Sequence, residues 1–320
     1  MWLGYLEILK ICDKYKQKSI LNLKDNKLHA SSIAILAAFI KGNNIKRDQF
    51  ICESNDVAKY LDTIGFYKEI WNENPSHRRI NDGITYSPLV LLENYQKIDI
   101  ATSTLNKCLT YMYPMTDKNS TSSLASLHEV VGELHDNIWS HGRNTGFSIA
   151  QKYGNYDPII EIAVADCGIG FLNELINSKI PDIDNDQKAI YWCIQKGNSS
   201  KKFKEQNEDG WAQSIPEDII GNPFSDIGIK SLVNNPNHHE GLGLSKLIDL
   251  VIKHKGEIQI ISGRALLNKN FNNDTLTISN LPMNLSWKGV VIIFKLKTSN
   301  LKLEEEDSHQ IDDLLNLIRT

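Results

Sequence analysis

Three short runs of this chain hold residue types suited to phosphoryl chemistry. ELHDNIWSHG, residues 133–142, sets Glu133, Asn137 and His141 four residues apart, so on a helix a carboxylate, an amide and an imidazole share one face. Asn137 offers a neutral oxygen ligand suited to Mg²⁺, which keeps several waters and binds through few protein groups plus phosphates. Glu133, one turn earlier, can orient or deprotonate the attacking group of a phosphoryl transfer. His141 reads first as a structural hydrogen-bonding residue and second as a contributor to the same site. VADCGIGF, residues 164–171, ends a hydrophobic strand in Asp166 and continues with Gly168 and Gly170. A carboxylate at a strand end can accept the hydrogen bond of an exocyclic amine, although Asp and Gly are also ordinary turn formers.

The third run, HHEGLGLSKLIDLVIKHKGEIQIIS (238–262), opens a long amphipathic helix at Gly241, Leu242, Gly243 and Leu244 and leads into a strand. Glycine lets backbone N–H groups approach an anion closely, and a helix N-terminus adds partial positive charge, so these four residues read as a phosphate cradle. KGNSSKK (196–202) is a polar, basic run of the kind most often found as a solvated loop; its Lys201 and Lys202 are candidates to reach phosphates. Each run alone is a weak signal, and strand and helix context is what gives them weight together. The elements that must position them are an apolar-backed helix, a strand that ends at Asp166, and a glycine-opened helix followed by a strand.

In this order the runs resemble the GHKL ATP-binding family of gyrase, 90-class heat-shock chaperones, histidine kinases and mismatch-repair proteins, over roughly residues 105–298. The resemblance implies a Bergerat α/β sandwich with a mixed sheet, covered on one face by helices that hold ATP. It implies Mg²⁺ on Asn137, Glu133 as the catalytic residue, adenine at Asp166 in the first glycine box, and phosphates at the second. E-x-x-x-N-x-x-x-H-G looks most like anti-sigma-factor serine kinases, whereas GLGLSKLIDLVIKHKGEI looks more like histidine kinases. His128 lies only five residues before Glu133, too near to be the phosphoacceptor that sensor kinases carry on a separate helix. Val290 stands where the family often has a Thr near the phosphate side.

Upstream, SILNLKD, SSIAILAAFIKG, RDQFICES and NDVAKYLDTIGFYKEIW alternate strand and helix patterns, the last with Asn55 or Asp56 as cap, over residues 18–72. Such alternation predicts a small parallel or mixed sheet, and it is similar to STAS domains. Those carry a phosphorylated Ser in a D-S-S-G turn; here the stretch is His29-Ala30-Ser31-Ser32, and an N-cap role for either Ser is the favoured reading. The expected organisation is a STAS-like α/β domain with its connecting segment over 1–104, the ATP-binding domain over 105–300 and an amphipathic helix over 301–320. MTDKNSTSS (115–123) reads as a loop, and residues 172–240, broken by repeated Pro and Gly, read as a lid with one helix near DQKAIYWCIQKG that orders when nucleotide binds.

Composition bounds the remaining classes. The 320 residues, 41% hydrophobic and 23% charged, can bury more than one typical domain core. A net charge of −4 disfavours nucleic acid, which needs a basic face, and no apolar run reaches membrane-spanning length. The N-terminus reads as an amphipathic helix and not a signal peptide, and five scattered cysteines fit reduced thiols in the cytoplasm. Three functions follow as expectations: a Ser/Thr protein kinase acting on a partner protein, a slow ATP hydrolase whose closure or dimerisation switches an effector, and a nucleotide-binding interaction module with negligible turnover. The retained Glu133 speaks against the third, and the lack of a transducer domain after residue 300 against a gyrase-like machine.

Overall fold

The structure, a computed structural model, describes residues 2–24, 27–76, 83–113, 118–142, 145–198, 243–273 and 275–302. The first part of the chain forms β1 (Trp2–Leu3), α1 (Tyr5–Lys18), β2 (Leu21–Leu23), β3 (Lys27–Leu28), α2 (Ala30–Gly42), β4 (Phe50–Cys52), α3 (Asn55–Thr63) and α4 (Phe66–Trp71). Next come β5 (Val90–Leu92), α5 (Tyr95–Met112), α6 (Lys118–Gly142), β6 (Gly146–Tyr153), β7 (Ile159–Asp166), α7 (Gly170–Asn177) and α8 (Asp186–Ile194). The last described elements are α9 (Gly243–Lys253), β8 (Glu257–Gly263), β9 (Ala265–Lys269), β10 (Thr277–Asn280) and β11 (Trp287–Lys297).

Seven strands make one sheet in the order β10-β9-β8-β11-β7-β6-β5, and every neighbouring pair is antiparallel. The fold is α/β in the coarse sense, but the mixed sheet expected from the sequence is corrected to an antiparallel one. Short returns are the reason: β6 reaches β7 through a turn with Gly154 at φ 96°, and β8 passes into β9 through Gly263 at φ 60°. Antiparallel neighbours need no long crossover.

Strand alternation gives the sheet two apolar faces. Ala150, Ile162, Val164, Ile260, Ile292 and Phe294 face the core that holds α5, α6 and α9. Phe147, Ile149, Ala163, Ala165, Val291 and Ile293 face the core that holds α1 to α4. Helices therefore cover both faces, and the N-terminal segment supplies one of the two layers. α2 is the centre of that layer: it lies along β6 and β7, and every residue from Ala30 to Ile40 is buried, as an apolar-all-round helix requires.

Several local expectations shift. The boundary drawn at residue 104 falls inside α5, and β5 before it is an edge strand of the large sheet. The N-terminal strands pair in parallel, β1 with β3 and β2 with β4, as two separate ribbons. The helix read across NDVAKYLDTIGFYKEIW breaks at Gly65, φ 84°, into α3 and α4, and its cap is Ser54, whose hydroxyl accepts from the Val57 N–H at 3.4 Å. α6 starts at Lys118, inside the stretch read as a loop, and α7 is a second helix early in the 172–240 stretch. The expected helix over 301–320 has only its start, to Lys302, among the described residues.

Neither Ser31 nor Ser32 caps α2. His29 precedes the helix, the buried Ser32 hydroxyl donates to the Leu3 carbonyl at 2.6 Å, and the Ser31 N–H donates to Glu161 Oε1 at 2.9 Å. A carboxylate from β7 thus sits at the N-terminus of α2, where negative charge is favoured. Glu161 also meets His29 Nδ1 at 3.2 Å and accepts from the Tyr153 hydroxyl at 2.9 Å. Burial alone would raise its pKa; the His29 hydrogen bond, Lys295 and the Ser31 N–H outweigh that and hold it at about 2. His135, fully buried between α6 and α5 with Nδ1 2.8 Å from Thr102 Oγ1, has its pKa pushed down by burial to about 3.

Both shifts act in the same direction with pH. In the unfolded chain His135 protonates below about pH 6.5 and Glu161 below about pH 4.5, while in the fold neither does until about pH 3 and 2. The unfolded state then binds more protons, so stability falls as pH falls. Asp166, whose pKa burial raises from 3.8 to about 7, takes up its proton earlier in the fold and offsets His135 between about pH 6.5 and 4. Denaturant titrations should therefore show the unfolding free energy declining below about pH 4.5, and from about pH 6.5 in Asp166→Asn. Glu161→Gln should lower neutral-pH stability by about 1 to 3 kcal/mol and flatten the decline below pH 4.5.

Candidate functional site

The pocket that matters lies on the α6 face of the sheet, at the end of β7. β7 delivers Asp166 there because β6 pairs with it through Asp166 and β11 through Ala165. The following turn is held by its own carboxylate: Asp166 Oδ1 accepts from the Gly168 N–H at 2.6 Å and Oδ2 from the Val290 N–H at 3.3 Å. The Asp166 carbonyl accepts from the Trp287 indole N–H at 2.8 Å. Each carboxylate oxygen has more than one lone pair, so these bonds leave acceptor capacity. Burial raises the Asp166 pKa to about 7, against the opposing pull of the two backbone N–H groups.

That arrangement depends on glycine at two points. Gly289, at φ 111°, lies so close that a Cβ would be 2.4 Å from the Asp166 carbonyl oxygen and 2.7 Å from its Oδ1. Gly170, at φ 75°, opens α7 with its Cβ direction 3.0 Å from Ser262 Oγ, and that hydroxyl accepts the Phe171 N–H at 3.0 Å. α8 is fixed nearby, since Asp186 accepts the Arg264 N–H at 2.9 Å from the β8–β9 turn.

α6 and α9 pack against one another across the pocket. Leu134 and Ile138 point into the core, which turns Glu133 and Asn137 toward the start of α9. A Cβ on Gly243 would lie 2.9 Å from Asn137 Nδ2 and 3.1 Å from Glu133 Cβ, so glycine is what lets the helix start close against the amide and the carboxylate. Lys246, on the next turn, lies 2.6 Å from Glu129 Oε1 and 3.7 Å from Glu133 Oε1; its pKa is raised, chiefly by the Glu129 hydrogen bond.

The result is a pocket of about 840 Å³, counting its open mouth, lined by Asn137, Asp166, Gly170, Gly243 and Leu244 among others. Glu133 adjoins it through Gly243, and Gly168 serves through its N–H to Asp166. His141 falls in the last turn of α6. Lys201, Lys202, Gly241 and Leu242 lie outside the described residues. Sequence reasoning missed Phe171, Glu174, Trp192, Cys193 and Asn198, which form the wall opposite Asn137; no local pattern marks them. It also missed Lys246 and Gly289, for which the glycine before the closing strand was a usable signal. Val290, where the resemblance places a Thr near the phosphate side, lines the pocket beside Asp166, to whose Oδ2 its N–H donates at 3.3 Å.

Chemically, the pocket joins an acceptor buried at one end to an amide, a carboxylate and a helix start at the other. Burial pushes the Cys167 thiol up to about 12 and the Cys193 thiol further up, so neither is a nucleophile at neutral pH. Among the described residues no three His, Cys, Asp or Glu side chains gather as a metal cluster. No protein-family model, curated protein or solved structure matches the chain.

Gly289→Ala tests the close approach directly. It should destabilise the protein by about 1 to 3 kcal/mol or more, from left-handed strain and contact with backbone, whereas Gly197→Ala, with open space around it, should cost less. Thermal melts of the two variants provide the comparison.

Proposed function

We propose that this chain is a Mg²⁺-dependent ATP-binding regulatory protein of GHKL type that hydrolyses ATP or transfers its γ-phosphate to a partner protein. The observation that carries the reading is the meeting of Asn137, Asp166, Gly170, Gly243 and Leu244 in one pocket, since three runs far apart in sequence supply the parts a nucleotide needs. Support for a Bergerat-type sandwich comes from α6 and α9 on one face of the sheet, although its strands are all antiparallel, and support for a STAS-like unit comes only from the parallel pairing of the ribbons β1–β3 and β2–β4. The buried Ser31 and Ser32 are poor phosphoacceptors, so the acceptor is sought in a partner or in water.

Each residue has a role in this reading. Asp166 would accept the adenine amine, and Trp192 and Phe171 would shield the base. The backbone at Gly243 and Leu244 would meet the phosphates at a helix start. Asn137 would hold Mg²⁺ through its Oδ1, and the metal, when bound, neutralises charge on the phosphates. Glu133 would take the proton of an attacking water or hydroxyl. A cytoplasmic setting and a protein partner belong to the same proposal; among the described residues no helix is long and apolar enough to cross a membrane. The second reading, an interaction module with negligible turnover, is favoured by one contact, the Lys246 ammonium near Glu133, which engages the base candidate.

Incubation with γ-labelled ATP separates these outcomes: free label marks hydrolysis, labelled partner marks a kinase, and neither marks the module. Glu133→Gln should retain ATP and lose turnover by about 10² to 10⁴, and Asn137→Ala should lose the Mg²⁺ dependence of binding. Parent-like turnover in Glu133→Gln would remove the base from the reading.

The raised pKa of Asp166, about 7, adds a pH signature. Only the ionised form accepts the amine with full strength, so adenosine, which carries no titrating phosphate, should bind about tenfold more weakly at pH 6 than at pH 8. Asp166→Asn should abolish that dependence. A flat pH profile in the parent protein would argue against adenine at this position.

A further inference from the structure

The face of α6 that carries Glu133 and Asn137 also carries Glu129, four residues earlier, so three polar side chains stand in line, one turn apart. Gly243 meets the Asn137 end of that line: a Cβ there would lie 2.9 Å from Asn137 Nδ2 and 3.1 Å from Glu133 Cβ. Lys246, three residues on, meets the other end, with Nζ 2.6 Å from Glu129 Oε1 and 3.7 Å from Glu133 Oε1. The ammonium is held unevenly. Its short bond is to Glu129, whose side chain is 58% exposed, and its longer contact is to Glu133, at 23%.

An ion pair this open to water contributes little to stability, and α6 and α9 are already joined by the buried Leu134, Ile138, Leu247 and Val251. Holding the helices together is therefore a weak account of the charges gathered here. The neighbouring pocket supplies a stronger one. Among the described residues that line it are the carboxylates of Asp166 and Glu174 but no Lys or Arg, so a polyphosphate there lacks a side-chain cation. Side chains on a helix lean toward its N-terminus, over the preceding turn, a direction that carries the Lys246 stem back along the turn opened by Gly243. Positions 243 and 246 share one face of α9, and Gly243 lines the pocket.

We infer that Lys246 is the residue by which the site tells a nucleoside triphosphate from a diphosphate, an inference that rests on the nucleotide reading of the pocket. Its ammonium is shared by Glu129 and Glu133, and the terminal phosphate of a triphosphate draws it off both. Binding of the triphosphate and withdrawal of the cation from Glu133 are then one event, so the base candidate is released from Lys246 only when the phosphate to be transferred is present. Glu129 acts in the opposite sense, as a competitor for the cation.

Calorimetry on the full chain with a non-hydrolysable ATP analogue and with ADP, at one ionic strength, tests this. The parent should prefer the triphosphate. Lys246→Met, which keeps the length of the stem and removes the charge, should cut that preference at least about tenfold, the scale of one hydrogen bond between charged groups, and leave ADP affinity within about twofold. Lys246→Arg should keep most of the preference. Glu129→Gln should raise it in the parent and change it by less than about twofold in Lys246→Met. A simple pin between α6 and α9 would weaken both nucleotides alike in Lys246→Met, and that result overturns the inference. So does an equal effect of Glu129→Gln with and without Lys246, which repulsion by Glu129 alone would produce. A parent that binds neither nucleotide removes the nucleotide reading and this inference with it. Binding of both without preference, or with a preference that survives Lys246→Met, removes this inference alone.

Discussion

The structure turns on how closely β11 approaches the end of β7. Two strands paired in antiparallel register normally keep side chains between them and the next turn, but Gly289 carries none, and the backbone after it runs against Asp166. Water is displaced from a carboxylate, which is unfavourable, and the loss is offset by two backbone N–H groups on the carboxylate and an indole N–H on the adjacent carbonyl. With the turn fixed in this way, Gly170 starts α7 at a set position, and α7 and α8 stand as a wall facing Asn137. The remote acid at one end and the α6–α9 contact at the other then enclose a defined space.

The opposite face is governed by a different carboxylate. Glu161 sits at the N-terminus of α2 and gathers His29, the Ser31 N–H and Tyr153, so the N-terminal layer is tied to the sheet by charge-assisted hydrogen bonds as well as by apolar contact. At its other end α2 closes on the pocket-forming turn, since a Cβ on Gly42 would lie 2.4 Å from that of Cys167. The helix is thus held at both ends by the two ends of one strand. An N-terminal unit so seated is a layer of the fold and not an appendage to it.

Helices were largely legible in the sequence because their signal is local. The apolar run of α2, the amphipathic α1 and α9, and the glycine boxes were each found within one window. Pairing direction was not legible, since it is decided by how turns such as those at Gly154 and Gly263 return the chain, and strand alternation reads the same in either direction. β5 was lost for a related reason: three residues make no period, and only its neighbour β6 defines it. Ser54 displaced the expected caps by one residue, and Gly65 broke a helix whose pattern runs on across it. In the site, the residues with an intrinsic signature converge, whereas Glu174, Trp192 and Asn198 take their place only from packing, and Lys246 only from the way α9 meets α6.

One consequence follows from the spacing of the two acids on β7. Glu161 and Asp166 lie an odd number of steps apart along the strand, so they point to opposite faces of the sheet, one into the N-terminal layer and one into the pocket. Inserting or deleting a single residue between them reverses that parity: whichever acid keeps its partners, the other is turned into an apolar core with none. Length variation can accumulate in the turn at Gly154–Asp157, which is largely exposed, but the five steps from Glu161 to Asp166 are fixed in number, and the strand acts as a ruler whose two marks must be read from opposite sides.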